Sequence, residues 1–225
     1  MASHLMTFTD NKIRLAAALN GGLGGGTYGE AILVTSSLLS AIAAYLWPGE
    51  RIDRARFVEL WHSHASPSLA PTLISLPLLI TARREAGDEA AVRALESTST
   101  AAFCGDPEYD TLVIDGPSID LPEAQVCALA PQLSGKEIRH YSYPAVFYRE
   151  VRSPYVHEFS SGSHSSASPM STNENVVSYV NQSPHRTIHF GMGFLDAVVR
   201  SIAASADLVF ANAPLRLPAT WWENA

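Results

Sequence analysis

The sequence predicts a mainly α-helical bundle with one small β-hairpin inserted just ahead of the C-terminal helix. Three observations lead there. Apolar residues recur at helical spacing through most of the chain. The breaks between those stretches fall at Pro, Gly and short polar residues, the ordinary helix stops and starts. Strict alternation is confined to "VVSYV" and "RTIHF", two runs separated by "NQSPH", the pattern of a hairpin. A hydrophobic fraction of 47% over 225 residues is ample for a buried core, and the length suits one domain, residues 7–225, better than two.

Taken in order, "MASHLM" reads as an expression remnant ahead of an alternative start at Met6, outside the fold. "IRLAAAL" is a helical turn or two, stopped by "NGGLGGG". Within that loop Gly24-x-Gly26-x-x-Gly29 matches a dinucleotide fingerprint literally, but no strand precedes it and no strand ending in an acid follows; a lead-in to the next helix is the better reading. That helix runs from Tyr28 to Trp47, with Thr27 as N-cap and Pro48-Gly49 as its stop. "IDRARFVELWHSH" follows with Asp53 as its cap. The Pro-punctuated stretch after Pro71 holds one helix, kinked or restarted at Pro77, and Asp88 caps "EAAVRALES". Thr100 to Pro122 reads as loop around the short apolar "TLVI". "PEAQVCALAPQL" and "KEIRHYSYPAVFYREVR" are helical pieces. "SSGSHSSASPMSTNEN" (Ser160 to Asn175) has little to bury and is expected to be a mobile surface loop. The hairpin and a last helix from Gly193 to Ala211 complete the chain.

A net charge of −7 argues against an extended duplex-DNA surface. Two cysteines, neither in a CxxC pair, suit a reducing cytoplasm. The apolar run from Ala31 to Trp47 is interrupted by Thr35, Ser36, Ser37 and Ser40, so it is expected to be a core helix rather than a membrane anchor.

In this charge-poor chain, "FYREVRSPYVHEF" (Phe147 to Phe159) gathers two arginines, two glutamates and a histidine. The plain reading is a helix end laced with ion pairs. The sharper one starts from Ser153-Pro154. Proline favours the first position of a helix, so Ser153 becomes its N-cap. The break would let Arg152 swing toward His157. A guanidinium can hold phosphate oxygens, and an imidazole can act as general acid or base. Because RNA carries its own nucleophile, the 2′-hydroxyl, such a site needs no metal. Arg149 and Ser153 are the added candidates for substrate binding. A second match to the same spacing, Arg56-x5-His62, lies in a helix whose face packing already explains.

Arg152-Ser-Pro-Tyr-Val-His157 resembles the Rx4–6H motif of the HEPN superfamily (higher eukaryotes and prokaryotes nucleotide-binding). "GGTYGEAILVTSSLLSAIAAYLWPGERIDRARFVEL" is similar to the first helical pair of bacterial proteins of that kind. The family usually has Asn, Asp or His after the Arg, where this chain has Ser153, and Pro154 is unusual in a motif borne on a helix. The resemblance implies a compact helical domain acting as a metal-independent endoribonuclease without cofactor, with Arg152 and His157 catalytic. It also implies pairing of sites in a homodimer and a setting in a bacterial toxin or antiviral defence system, with an antitoxin or defence partner. The alternative is a HEPN-like module that binds a nucleotide or a partner without cleaving.

The remaining candidates are weaker. His62-x-His64, His164, His185 and His189 lack the spacing of a metal site. The pairs Glu108/Asp110 and Asp115/Asp120 read as solvated turns. Trp221-Trp222 reads as a packing anchor.

Overall fold

The computed structural model describes residues 3–98, 113–167, 173–182 and 185–224. It is mainly helical, 64% helix against 9% strand, with two small sheets; the mainly α expectation and the late hairpin both hold.

Helix α1 (His4–Asn20) starts earlier than the sequence suggests. The Ser3 side chain accepts a hydrogen bond from Met6 N at 3.1 Å, and Leu5 and Met6 pack on the core, so residues 3–6 belong to the fold rather than preceding it. The glycines after it supply left-handed backbone at Gly22, Gly24 and Gly25 and lead into α2 (Tyr28–Leu46). Thr27 caps α2 as expected, in a capping box: Thr27 N donates to Glu30 Oε2 at 2.8 Å. By length and composition α2 could cross a membrane, yet eleven of its residues are buried in the protein. In α3 (Asp53–His64) the cap position belongs to Ile52, and Asp53 is the first helical residue.

Residues 71–74 are turn and strand rather than helix. Strand β1 (Leu73–Ile74) precedes α4 (Leu76–Glu85), where Pro77 sits in the first turn. Pro77 therefore begins a helix instead of kinking one, the position where its missing N–H costs nothing. Asp88 caps α5 (Glu89–Glu96), accepting from Ala91 N at 3.1 Å. The stretch read as loop contains β2 (Val113–Asp115) and β3 (Leu121–Pro122); its earlier part, with Glu108 and Asp110, lies outside the described residues. Helices α6 (Glu123–Leu129), α7 (Gly135–Arg139) and α8 (Tyr143–Val146) follow, then a π-helical segment (Phe147–Arg152) and α9 (Ser153–Glu158). The hairpin β4 (Val177–Gln182) and β5 (His185–Phe190) leads into α10 (Met192–Val209).

The larger core gathers Ile32 and Leu39 of α2, Phe57 and Trp61 of α3, Phe147, Phe190 and the inner face of α10. A second core, with Leu79 of α4, Val92 and Leu95 of α5, Val126 of α6 and Ile138 of α7, packs the middle of the chain. The strands pair antiparallel in the order β2-β4-β5, with Tyr179 opposite Ile188 and Val177 opposite Phe190; β1 pairs with β3. From Val177 to Val180, and from Arg186 to Phe190, every residue is buried. Both faces of the hairpin are covered there.

A buried acid ties these layers together. Asp120, read as part of a solvated turn, is fully enclosed. Its Oδ1 accepts from Leu76 N at 2.9 Å, and its Oδ2 accepts from the hydroxyls of Tyr143 and Tyr179, each at 2.7 Å. Ser75 Oγ lies 2.7 Å from the Tyr179 hydroxyl. Burial raises the Asp120 carboxyl to about 7, and the three donors only partly offset that rise.

Candidate functional site

The helix bearing the motif does not break at Ser153-Pro154. Val146, Phe147, Arg152 and Ser153 all have right-handed helical backbone, so α8, the π segment and α9 run on without interruption. Ser153 is therefore not an N-cap. The proline is accommodated differently. An interior proline lacks the N–H for the carbonyl four residues earlier and presses its ring against it. Here that carbonyl belongs to Glu150, in the π segment. It accepts instead from Gly162 N at 2.8 Å and Ser165 Oγ at 2.7 Å. A wider helical turn thus replaces the expected break.

This substitution also organises the Ser-rich segment. Expected to be mobile, it is tied down over residues 162–166: beyond the bonds to Glu150, Ser166 N donates to Ile188 O at 2.9 Å and Ile188 N to His164 O at 2.8 Å. The pairing adds a short parallel bridge beside β5. Gly162 permits the close approach, because a Cβ there would sit 2.7 Å from Glu150 O. Residues 168–172 lie outside the described residues.

The four candidates do not form one cluster within the chain. On a continuous helix, five residues place Arg152 and His157 about 140° apart around the axis. Arg152 is half-buried, its guanidinium 4.9 Å from the centre of the Tyr148 ring. It makes no hydrogen bond or ion pair among the described residues, and its Nε is buried without an acceptor. His157 is exposed and likewise unpartnered among the described residues. Ser153 is half-buried on the helix.

Arg149 faces elsewhere. Its Nε donates to Glu150 Oε1 at 2.7 Å and one terminal nitrogen to His140 O at 2.8 Å, and it lies over the Tyr141 ring. It lines a pocket of about 310 Å³ with Glu85, His140, Glu150 and His164. The ion-pair reading of the stretch is thus right for Arg149 and Glu150, and does not hold for Arg152 and His157.

The competing motif, Arg56 to His62, is structural. Arg56 bridges to Asp53 and donates to Gly49 O at 3.2 Å, fastening the start of α3. His62 stacks on Trp222 at 4.2 Å, and burial lowers its pKa. The Trp anchor reading holds too: the Trp222 ring lies between His62 and the Arg139 guanidinium, and the Trp222 backbone N–H donates to Glu59 Oε2 at 2.8 Å. Next to it the buried Glu223 pairs with Arg54 and lies 3.1 Å from His140 Nδ1.

Two positions past His157 the helix ends. Phe159 terminates α9 in the left-handed region, φ 54° and ψ 35°, and is 56% exposed. The sequence signal was an absence: the helix ends without the glycine that this position ordinarily selects.

No family model matches the chain, and no significant match appears among curated proteins or solved structures.

Proposed function

We propose that the protein is a metal-independent endoribonuclease whose reacting groups are Arg152 and His157. The observation that supports this reading is that neither side chain makes a hydrogen bond or an ion pair among the described residues. The neighbouring Arg149 is held by Glu150, and the arginines at the start of α3 by Glu223 and Asp53. Arg152 has no carboxylate partner among the described residues, and His157 presents an imidazole to solvent. In the proposed reaction the ribose 2′-hydroxyl attacks the adjacent phosphorus and the bond to the 5′-oxygen breaks. His157 removes the hydroxyl proton or protonates the leaving oxygen, and Arg152 stabilises the charge growing on the phosphoryl oxygens. The product is a 2′,3′-cyclic phosphate.

Since the two side chains diverge on one helix, the proposal includes a homodimer in which each Arg152 works beside the partner copy's imidazole across a two-fold axis. The continuous helix also favours a second reading, a module that binds RNA or a partner protein without cutting. Incubation of varied RNAs with the purified protein in EDTA separates them. Cleavage that spares DNA and falls about 10²–10⁴-fold in His157→Ala, and sharply in Arg152→Ala, supports the nuclease. Intact RNA with the wild-type dimer favours the binding module. Bacterial defence or toxin function and a cognate partner protein are the cellular setting proposed with the nuclease reading.

A further inference from the structure

We infer that a pocket at the start of α3, lined by none of the motif residues, binds a nucleoside monophosphate. The cavity holds about 330 Å³ and brings Arg51 and Arg54 together with His140, Trp221, Glu223 and Asn224. That volume suits a small organic ligand and exceeds what an inorganic anion requires. Charge decides which group enters. Arg54 is satisfied within the protein: its Nε donates to Glu223 Oε2 at 3.0 Å, and a terminal nitrogen reaches Oε1 of the same carboxylate. Glu223 Oε1 also lies 3.1 Å from His140 Nδ1. Burial lowers the His140 pKa, so near pH 7.5 the imidazole is a neutral hydrogen-bonding group. One carboxylate in the wall is thus matched by one guanidinium, and the second guanidinium, on Arg51, is left over. Arg51 makes no hydrogen bond or ion pair among the described residues. The neighbouring acids Glu50 and Asp53 do not line the pocket, and Asp53 is bridged to Arg56.

A surplus guanidinium in a cavity suits an anion that accepts several hydrogen bonds, and phosphate matches the guanidinium fork. Arg51 also stands where its backbone is strained, at φ 61°, a conformation that glycine adopts without cost. An exposed arginine held there in the wall of a cavity is accounted for by what its side chain contacts outside the fold. The rest of the wall selects the body of the ligand. Trp221 is half-buried and packs edge-to-face on Trp47, 5.9 Å between ring centres, which fixes an aromatic surface in the same cavity. The exposed Asn224 adds a side-chain amide that both donates and accepts. An aromatic wall, an amide and a spare guanidinium match a base, its polar edge and a phosphate. A sugar phosphate would meet the guanidinium but leave the indole without a stacking partner.

Isothermal titration calorimetry in a phosphate-free buffer at pH 7.5 tests this with the four nucleoside 5′-monophosphates, their nucleosides and inorganic phosphate. At least one nucleotide should bind, one per chain, with a Kd on the order of 10 µM, the efficiency usual for ligands of about 22 non-hydrogen atoms. Its nucleoside, and phosphate alone, should each bind at least about 10-fold more weakly. Arg51→Gly removes the guanidinium and relieves the backbone. It should weaken the nucleotide by about 10- to 100-fold, the range of one charge-assisted hydrogen bond. Arg51→Lys keeps a cation and should lose less than Arg51→Gly. No saturable binding of any nucleotide overturns the inference, as does unchanged affinity in Arg51→Gly. A nucleoside or phosphate that binds as tightly as the nucleotide also overturns it. So does a 5′-phosphorylated 2′-O-methyl RNA strand that binds more tightly than any mononucleotide and depends on Arg51, since that would place an RNA end in the pocket. Cleavage of ordinary RNA is read separately and should be the same in Arg51→Gly as in wild type, so failure of the nuclease reading leaves this site standing, and the reverse.

Discussion

Replacing Asp120 with Asn should remove most of one component of the protein's pH dependence, and the structure sets its sign and size. In the unfolded chain this carboxyl titrates near its ordinary value of 3.8, and in the folded protein near 7, because burial penalises the anion. Below pH 3.8 both states are protonated and the difference vanishes. Between 3.8 and 7 the unfolded chain releases its proton while the folded one holds it, so stability falls as pH rises, and levels off above 7. A gap of about three pH units at 1.36 kcal/mol each amounts to about 4 kcal/mol. Asparagine keeps the shape and an acceptor for Leu76 N without the ionisation. Urea denaturation of both proteins from pH 4 to 8 gives the difference directly. The advantage of wild type over Asp120→Asn should shrink by about 4 kcal/mol across that range. A flat difference would refute the burial argument. A difference that grows with pH would mean that Tyr143, Tyr179 and Leu76 hold an anion there more strongly than burial opposes it.

Two further substitutions probe the supports of the site. Gly162→Ala drives a methyl group into the Glu150 carbonyl and should cost about 1–3 kcal/mol, with faster hydrogen exchange at Gly162 and Ser166; exchange as slow as in wild type would show that the segment is held otherwise. Trp222→Ala removes the ring between His62 and Arg139 and should cost about 3–5 kcal/mol in chemical denaturation, while a loss under about 1 kcal/mol would leave the anchor without energetic weight.

What could be read from the sequence was whatever depends on near neighbours. The Thr27 and Asp88 caps require only a side-chain oxygen reaching a backbone N–H two or three residues on, and the hairpin announces itself by alternation within five residues. The misreadings share the opposite character. Pro154 signals a break only if the Glu150 carbonyl has nowhere else to turn, and its acceptor role is filled from residues 162 and 165. Asp120 reads as a turn acid because its two phenolic partners are 23 and 59 residues away. Strands of two or three residues, such as β1 and β2, carry too few positions to show a period at all. At the candidate site the motif residues were visible as types in a row. Their divergence around an unbroken helix, and the left-handed backbone that ends α9 at Phe159, were not.

The strap formed by Trp222 and Glu223 bears on how the protein is made. It closes against α3 through His62, Glu59 and Arg54, and against the α7 end through Arg139 and His140. Helix α3 is translated early and these contacts arrive some 160 residues later, with Trp222 and Glu59 separated by 163 positions. Until the strap leaves the ribosome, Arg54 lacks its carboxylate and His62 its stacking partner, so α3 must wait in an open and vulnerable state. At a synthesis rate of about 5–20 residues per second that wait lasts on the order of ten seconds or more.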